Sequence, residues 1–389
     1  MPYSYTKHLL DEEDRNAVLS VLESDNLTQG PKVEEFEKTF CDKFSAPFSL
    51  AVNNGTAALH LAVKALGLEQ DQVVLVAAMT FAASANCVLY EAGKVEFVDI
   101  EPDTHNIDLK KVRAKIENSP KGTFAGLIVV DFAGLPVELG EIYDFCREND
   151  IWVLEDAAHS LGATYRLQSG KEECSVGACK YSDATTFSFH PAKHVACGEG
   201  GMVTFRDRKA YERAKSLRSH GIQKFTENQQ RPWAQDMQEL GFNYRMSDLN
   251  AALGLSQLGK LDFSLERRRE IASLYFDLLH DEIKLRVLSQ VYFDRHAFHL
   301  FVVRAKDRDK LFLYLRELDI HCQIHYKPVY RMSYYSRMGY QVSDYPEAEA
   351  YFEECISLPM YPSLKDEDVI FIANQVKAFY QTSSQHDQS

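Results

Sequence analysis

No stretch of this sequence stays apolar for long enough to cross a bilayer. The longest candidate, residues 73–89, is interrupted by Thr80, Ser84 and Asn86. It falls short of the ~20 apolar residues a spanning helix needs and reads as a buried strand followed by a helix. The opening residues, Met1-Pro2-Tyr3-Ser4-Tyr5-Thr6-Lys7, lack the apolar core of a secretory leader, so a cytoplasmic protein without a signal peptide is expected. Cys-x-x-Cys pairs and Cys/His sets at zinc spacing are missing too. The eight cysteines (Cys41, Cys87, Cys146, Cys174, Cys179, Cys197, Cys322 and Cys355) are therefore expected as reduced thiols, with no metal site. Basic residues are outnumbered, 43 Lys and Arg against 57 Asp and Glu, for a net charge of −14. That argues against nucleic acid as the main partner, because phosphate backbones are bound by concentrated Lys and Arg. A phosphorylated small molecule held at one local site stays open. Internal repeats and low-complexity blocks are also absent.

What is present is ample material for a core: 389 residues, 45% hydrophobic and 26% charged. At roughly 150 residues per domain this allows two or three domains, or one large domain with an appendage. Residues 11–23 carry Val18, Leu19 and Leu22 behind an acidic first turn, which predicts a helix. Pro31 opens a second helix over 32–44, with Val33, Phe36, Phe40 and Phe44 at helical spacing. Strand patterns at 73–77, 95–100, 126–131 and 151–156 then alternate with helical ones at 57–66, 81–91, 109–117 and 140–147. Alternation of this kind predicts a mostly parallel sheet covered on both faces, with ligands at the carboxyl ends of its strands. Residues 185–189 and 202–205 read as further strands, 223–236 as a long surface loop around Pro232, and 246–261 as one helix. Beyond it, the pieces 267–279, 297–303, 310–318 and 323–326 predict a smaller α+β domain. The expected division is a large domain with an N-terminal arm at 1–250 and a small domain at 251–389, with the polar residues 381–389 frayed.

Three segments have chemical potential, and each has an ordinary structural explanation beside it. In Ser188-Phe189-His190-Pro191-Ala192-Lys193-His194, a lysine follows an apolar strand in a turn rich in small residues. Desolvation lowers a lysine's pKa and leaves an amine able to attack an aldehyde and form a Schiff base; a snorkelling lysine explains the segment equally well. In Val153-Leu154-Glu155-Asp156-Ala157-Ala158-His159 an apolar strand ends in a carboxylate. A buried Asp156 needs a cation to stay ionised, which a protonated pyridine nitrogen would supply; an Asp capping the next segment is the simpler alternative. Asn54-Gly55-Thr56-Ala57-Ala58 opens a helix whose N–H groups and dipole suit a phosphate, unless Thr56 is a plain N-cap. Phe81 could stack on a flat ring or belong to the core. A phosphate seat, a stacking ring, a carboxylate and a lysine in one α/β sheet are together what pyridoxal 5′-phosphate requires of a protein.

These segments resemble the sugar-nucleotide aminotransferases of the DegT/DnrJ/EryC1/StrS family, within the fold type I pyridoxal-phosphate enzymes. The likeness spans nearly the whole chain. It includes Leu27-Thr28-Gln29-Gly30-Pro31, Asn54-Gly55-Thr56-Ala57-Ala58-Leu59, Thr80-Phe81, Phe97-Val98-Asp99-Ile100, Glu155-Asp156-Ala157-Ala158-His159, residues 188–201, Asn243-Tyr244-Arg245-Met246, His325-Tyr326-Lys327-Pro328 and Ser357-Leu358-Pro359-Met360-Tyr361-Pro362. Tyr3-Ser4, residues 188–194 and residues 325–330 are most similar to the branch that aminates C4 of a UDP-linked 4-keto-6-deoxy-N-acetylhexosamine in pseudaminic acid biosynthesis. The resemblance implies glutamate as donor, released as 2-oxoglutarate, and Lys193 as the covalent and proton-transferring amine. It further implies Asp156 against the pyridinium nitrogen, His159 near the ring hydroxyl, Phe81 on the ring face, and Gly55, Thr56 and Ser188 around the phosphate. Asn243 would reach that phosphate from the partner subunit of a homodimer, and Tyr3, Gln29, Arg245 and Tyr326 would contact sugar or carboxylate. Ala78 stands where many members have proline, and Ala196-Cys197 replace hydroxyl residues before Gly198-Glu199-Gly200-Gly201; both changes bear on the sugar pocket.

Four rivals remain for comparison. A GDP- or dTDP-linked 4-keto-6-deoxyhexose aminotransferase, of perosamine or viosamine type, would use the same residues. A nicotinamide enzyme built on Gly198-Glu199-Gly200-Gly201 is excluded, because a strand pattern follows where the fingerprint needs a helix. A sugar dehydratase on this scaffold carries histidine in place of the lysine. A non-catalytic binding or regulatory protein is disfavoured because Lys193 and Asp156 are both present.

Overall fold

The computed structural model describes residues 2–166, 173–224 and 233–386. Two helices precede the sheet. In α1 (Glu12–Leu22) Asp11 accepts from the Asp14 N–H at 3.2 Å while Asp14 accepts from the Asp11 N–H at 2.9 Å, a reciprocal cap that fixes the helix start. α2 (Pro31–Phe44) begins on proline and buries Val33, Phe36, Phe40 and Phe44 along one face, the stripe expected from their spacing.

Seven strands make the central sheet: β1 (Phe48–Val52), β2 (Val73–Ala77), β3 (Lys94–Val98), β4 (Phe124–Val130), β5 (Trp152–Asp156), β6 (Ala184–Ser188) and β7 (Gly201–Phe205). Their order is β1-β7-β6-β5-β4-β2-β3. β7 runs antiparallel to β1 and β6, and the remaining neighbours are parallel. Helices α3 (Gly55–Ala65), α4 (Ala82–Tyr90), α5 (Leu109–Glu117), α6 (Gly140–Glu148) and α7 (Arg208–Arg218) connect and cover them. On β2, Val74 and Val76 join the core under α3 and α4, whereas Leu75 and Ala77 join the core with α5 and α6. Burial on both faces is why these strands read as continuous apolar runs.

The helix expected over 246–261 is α8 (Asp248–Gly259), and the piece expected at 267–279 belongs to α9 (Leu261–Leu279), which starts directly after Lys260. Ala251 and Leu258 of α8 pack with Val33 and Phe36 of α2, but from Ile271 onward α9 belongs to a second core. That core covers a three-stranded antiparallel sheet of β8 (Leu285–Val287), β9 (Phe301–Ala305) and β10 (Cys355–Leu358), with α10 (Arg308–Glu317) and the C-terminal helix α11 (Asp366–His386). Within the piece 297–303 the strand starts only at Phe301, because the Ala297 and Leu300 N–H groups bond to Gly134 and Ala133 beside the large sheet. Residues 323–326 form no strand; Gln323 alone bridges Ser357. The N-terminal segment lies on this smaller part, with Tyr3 bridging Ile320.

The surface loop expected over 223–236 has paired ends, Ile222–Lys224 against Gln235–Met237; residues 225–232 lie outside the described residues. The C-terminal helix continues to His386 instead of fraying from Gln381, and 387–389 lie outside the described residues. Among the described residues no helix is long and apolar enough to cross a membrane.

Candidate active site

The carboxyl ends of β5 and β6 and the N-terminus of α3 border a cleft of about 660 Å³. Parallel strands and the helices that follow them converge at such an edge, so backbone donors and strand-end side chains meet there. Lys193, Asp156, His159, Phe81, Gly55, Thr56, Ser188 and Tyr326 all line it.

Lys193 lies in the turn after β6, where its N–H bonds to His190 O at 2.8 Å. Its amine is 3.3 Å from His299 Nε2. Burial pulls the amine down to about 8, against the opposing pull of the Asp156 carboxylate, so a useful fraction is uncharged near neutrality.

Asp156 ends β5 and is 6% exposed. Its Oδ2 accepts from Ser84 Oγ at 2.6 Å, its Oδ1 from the Ala158 N–H at 3.2 Å, and Ser84 is itself 2.7 Å from Thr80 Oγ1. Burial raises the Asp156 pKa, opposed by those two hydrogen bonds and by Lys193. Two further acids lie beside it. Asp131 accepts from Ser160 Oγ at 2.6 Å and the Val137 N–H at 3.0 Å, and Glu155 accepts from Thr185 Oγ1 at 2.8 Å. Burial pushes Asp131 up to about 7 and raises Glu155 well above the usual carboxylate range.

The helix start is settled by Asn54, whose side chain accepts from the Ala57 N–H at 2.8 Å. Asn54, not Thr56, is the N-cap, which leaves the Thr56 hydroxyl free of that duty, and the Gly55 and Thr56 N–H groups precede the first intrahelical bond. A Cβ on Gly55 would lie 2.9 Å from Ser188 Cβ, and one on Gly201 would lie 2.6 Å from Asn54 O. Only glycines allow the α3 N-terminus, β6 and β7 to converge this closely.

His159 bonds through Nε2 to Tyr326 OH at 3.1 Å, while its Nδ1 is buried without a partner. Burial and the neighbouring Lys193 hold the imidazole neutral, well below its usual pKa. Phe81, 57% exposed, precedes α4 with its ring 5.9 Å from that of Tyr326; it is a cleft residue and not part of the core.

Tyr3, Gln29, Asn243 and Arg245 do not line this cleft. Tyr3 OH donates to Asp368 at 3.2 Å on α11. Gln29 and Asn243 are exposed, and Arg245 bridges Val52 through its backbone. Residues that sequence reasoning missed line it instead, chiefly Tyr5, Tyr244, His299 and His325. Tyr5 is two residues from Tyr3, and Tyr244 lies between Asn243 and Arg245, so the segments carrying those motifs border the cleft through neighbouring side chains. Nothing local marked His299.

Similarity to known proteins agrees with this layout. The model of the DegT/DnrJ/EryC1/StrS aminotransferase family matches residues 8–377. The UDP-4-amino-4,6-dideoxy-N-acetyl-beta-L-altrosamine transaminase of Campylobacter jejuni is 36% identical over 375 residues, 95% of each chain. Helicobacter pylori PseC, an aminotransferase involved in the biosynthesis of pseudoaminic acid, superposes with a TM-score of 0.87 at 28% identity, over 98% of this chain and 100% of its own. A putative sugar aminotransferase of Streptococcus pneumoniae, solved in a PLP form, gives 0.86 at 25% identity over 98% and 99%. The large parallel sheet, the lysine turn and this whole-length similarity make the chain a member of the DegT/DnrJ/EryC1/StrS aminotransferase family.

Proposed function

We propose that the protein uses pyridoxal 5′-phosphate to transfer the amino group of L-glutamate to C4 of a UDP-linked 4-keto-6-deoxy-N-acetylhexosamine, in pseudaminic acid biosynthesis. The observation that carries the reaction type is the buried Lys193 amine sharing one cleft with Asp156 and the Gly55–Thr56–Ser188 corner. The sugar is supported by the whole-length similarity to the altrosamine transaminase.

Three features of the cleft fit the cofactor. Asp156 is a buried carboxylate in want of a cation, His159 Nδ1 is a buried atom in want of a partner, and the glycine-walled corner at α3 suits a phosphate. Bound there, pyridoxal phosphate would supply an electron sink that makes the Cα–H of an amino donor acidic. Lys193 would carry that proton, its burial keeping it basic yet deprotonable near neutrality. Asp156, fixed by Ser84 and Ala158, would stabilise a cation at the ring nitrogen; His159 would hold the ring hydroxyl, and Phe81 would cover one ring face. Asn243, exposed and outside its own cleft, would reach the phosphate of the partner subunit in a homodimer, with Tyr3, Gln29, Arg245 and Tyr326 meeting sugar or carboxylate in the assembled site.

The purified protein is expected to absorb visible light and to bleach on addition of excess glutamate. A UDP-linked 4-keto-6-deoxy-N-acetylhexosamine should restore the band. Restoration by a GDP- or dTDP-linked keto sugar alone would move the substrate to the perosamine or viosamine type. A colourless protein that ignores added pyridoxal phosphate would sink the transaminase reading. Gly55→Val tests the phosphate corner separately: a branched side chain pressed on Ser188 should weaken pyridoxal phosphate binding by about tenfold or more, since it forfeits one or two charge-assisted hydrogen bonds. Titration by fluorescence reads this, and an unchanged Kd would place the phosphate elsewhere.

A further inference from the structure

His299 enters the cleft from the segment before β9, and no motif pointed to it. It is 4% exposed. Its ring lies 4.3 Å from that of His159 at 38° and 5.7 Å from that of His194. Its backbone is held from behind by Arg268, whose guanidinium donates to Phe298 O at 2.9 Å and His299 O at 3.4 Å. Burial and the cations around it keep the ring neutral.

A neutral imidazole carries one N–H, and here the two choices differ in cost. His299 Nδ1 is buried without a partner, so a proton there would be an orphaned donor. A proton on Nε2 leaves only a lone pair unmatched, and buried donors without acceptors are the rarer defect. The Nε2–H then faces Lys193 Nζ at 3.3 Å. An ammonium has no lone pair to accept it; a free amine does.

We propose that His299 is a positioning residue that donates a hydrogen bond from Nε2–H to the free amine of Lys193, fixing that amine in place and favouring its uncharged form. The Asp156 carboxylate favours the ammonium, while His159, His194 and His325 are buried and neutral. His299 thus adds a donor to the burial that already opposes Asp156. Protonation of the amine removes the lone pair that His299 holds, so the contact favours the base and not the acid. The inference takes its catalytic meaning from the reading of Lys193 given above, but the contact itself does not depend on it.

The test is competitive labelling of the full chain, freed of cofactor, with fluorodinitrobenzene across neutral to alkaline pH, with Lys193 followed by mass spectrometry. The wild-type midpoint is expected at about 8. In His299→Phe, which fills the space without a donor, and His299→Asn, whose amide falls short of the amine, it should rise by about one unit, roughly a tenfold loss of free amine below the midpoint. His299→Gln, whose amide nitrogen reaches the Nε2 position, should keep the wild-type value. The Asn variant serves if the Phe variant does not fold. Unchanged or lowered midpoints in both Phe and Asn would overturn the proposal. No cofactor or substrate enters this measurement, so failure of the transaminase reading would leave its outcome intact.

Discussion

Lys193→Ala is expected to lose about 10⁴-fold or more in the rate of the glutamate half-reaction, since covalent and general acid–base roles vanish together. Lys193→Arg should do no better, because a guanidinium stays protonated at any working pH and cannot serve as base. Stability should move the other way. The lysine's folded pKa is about 8, below the ordinary value of about 10.4. A base with a depressed folded pKa destabilises the fold wherever the unfolded chain would protonate it, so the cost grows as pH falls from above 10 through 8. Lys193 lies deep in the protein yet looks into an open cleft, so the cost at pH 7 is of order 2 kcal/mol, not the full linkage value. The cofactor-free alanine variant should therefore melt a few degrees above wild type at pH 7 and converge with it at alkaline pH. A small primary amine added to the assay should recover part of the lost rate. A variant within tenfold of wild-type turnover would remove Lys193 from the reaction, and one that melts lower at pH 7 would remove the account of its burial.

The parts of the fold that were legible are those whose signal is local. The α2 stripe of Val33, Phe36, Phe40 and Phe44 is a helical period with its own proline start, and β2 and β5 are apolar runs buried on both faces. The end of α8 is marked by Gly259, but the start of α9 at Leu261 was placed too late, at 267, because nothing local marks it. Lys260 is held there by long-range partners, Asp11 at 2.7 Å and Asp14 at 2.6 Å, and an amphipathic pattern runs through such a break undisturbed. The start of β9 within the piece 297–303 was not legible for the same reason, Ala297 and Leu300 being tied to Gly134 and Ala133 beside the large sheet. At the site, Asp156 ends a strand and Lys193 follows one, and both stand out against apolar neighbours. Asn54 resolved what Thr56 left open, since two polar residues either side of Gly55 compete for one cap. Ser84 looked like an interruption in an apolar run and proves to hold Asp156. His299 is 106 residues from the lysine it touches, so only the fold brings the pair together.

Asp156→Asn should separate function from folding most sharply. The asparagine keeps the volume and can still accept from Ser84 Oγ, at 2.6 Å in the wild type, but it carries no charge to set against a ring cation. Removing one member of a buried ion pair typically costs about 3–5 kcal/mol, so the glutamate half-reaction should slow by about 10²–10³-fold and pyridoxal phosphate should bind more weakly. Without cofactor the balance reverses. Asp156 has its folded pKa raised by burial, so the stability it contributes is present at acid pH, below the unfolded carboxylate value, and is lost as pH rises through the folded value. Its replacement should flatten that part of the pH–Tm curve and leave the cofactor-free variant as stable as wild type, or more so, at pH 8. Asp131 and Glu155, raised chiefly by burial and further by the Asp156 charge, and Lys193, which that charge favours as the ammonium, respond to the replacement as well, so the difference between the two curves reads Asp156 together with its coupling to them. A variant that keeps wild-type cofactor affinity would show that the carboxylate faces no cation, and one that melts lower at pH 8 would show that its charge supports the fold.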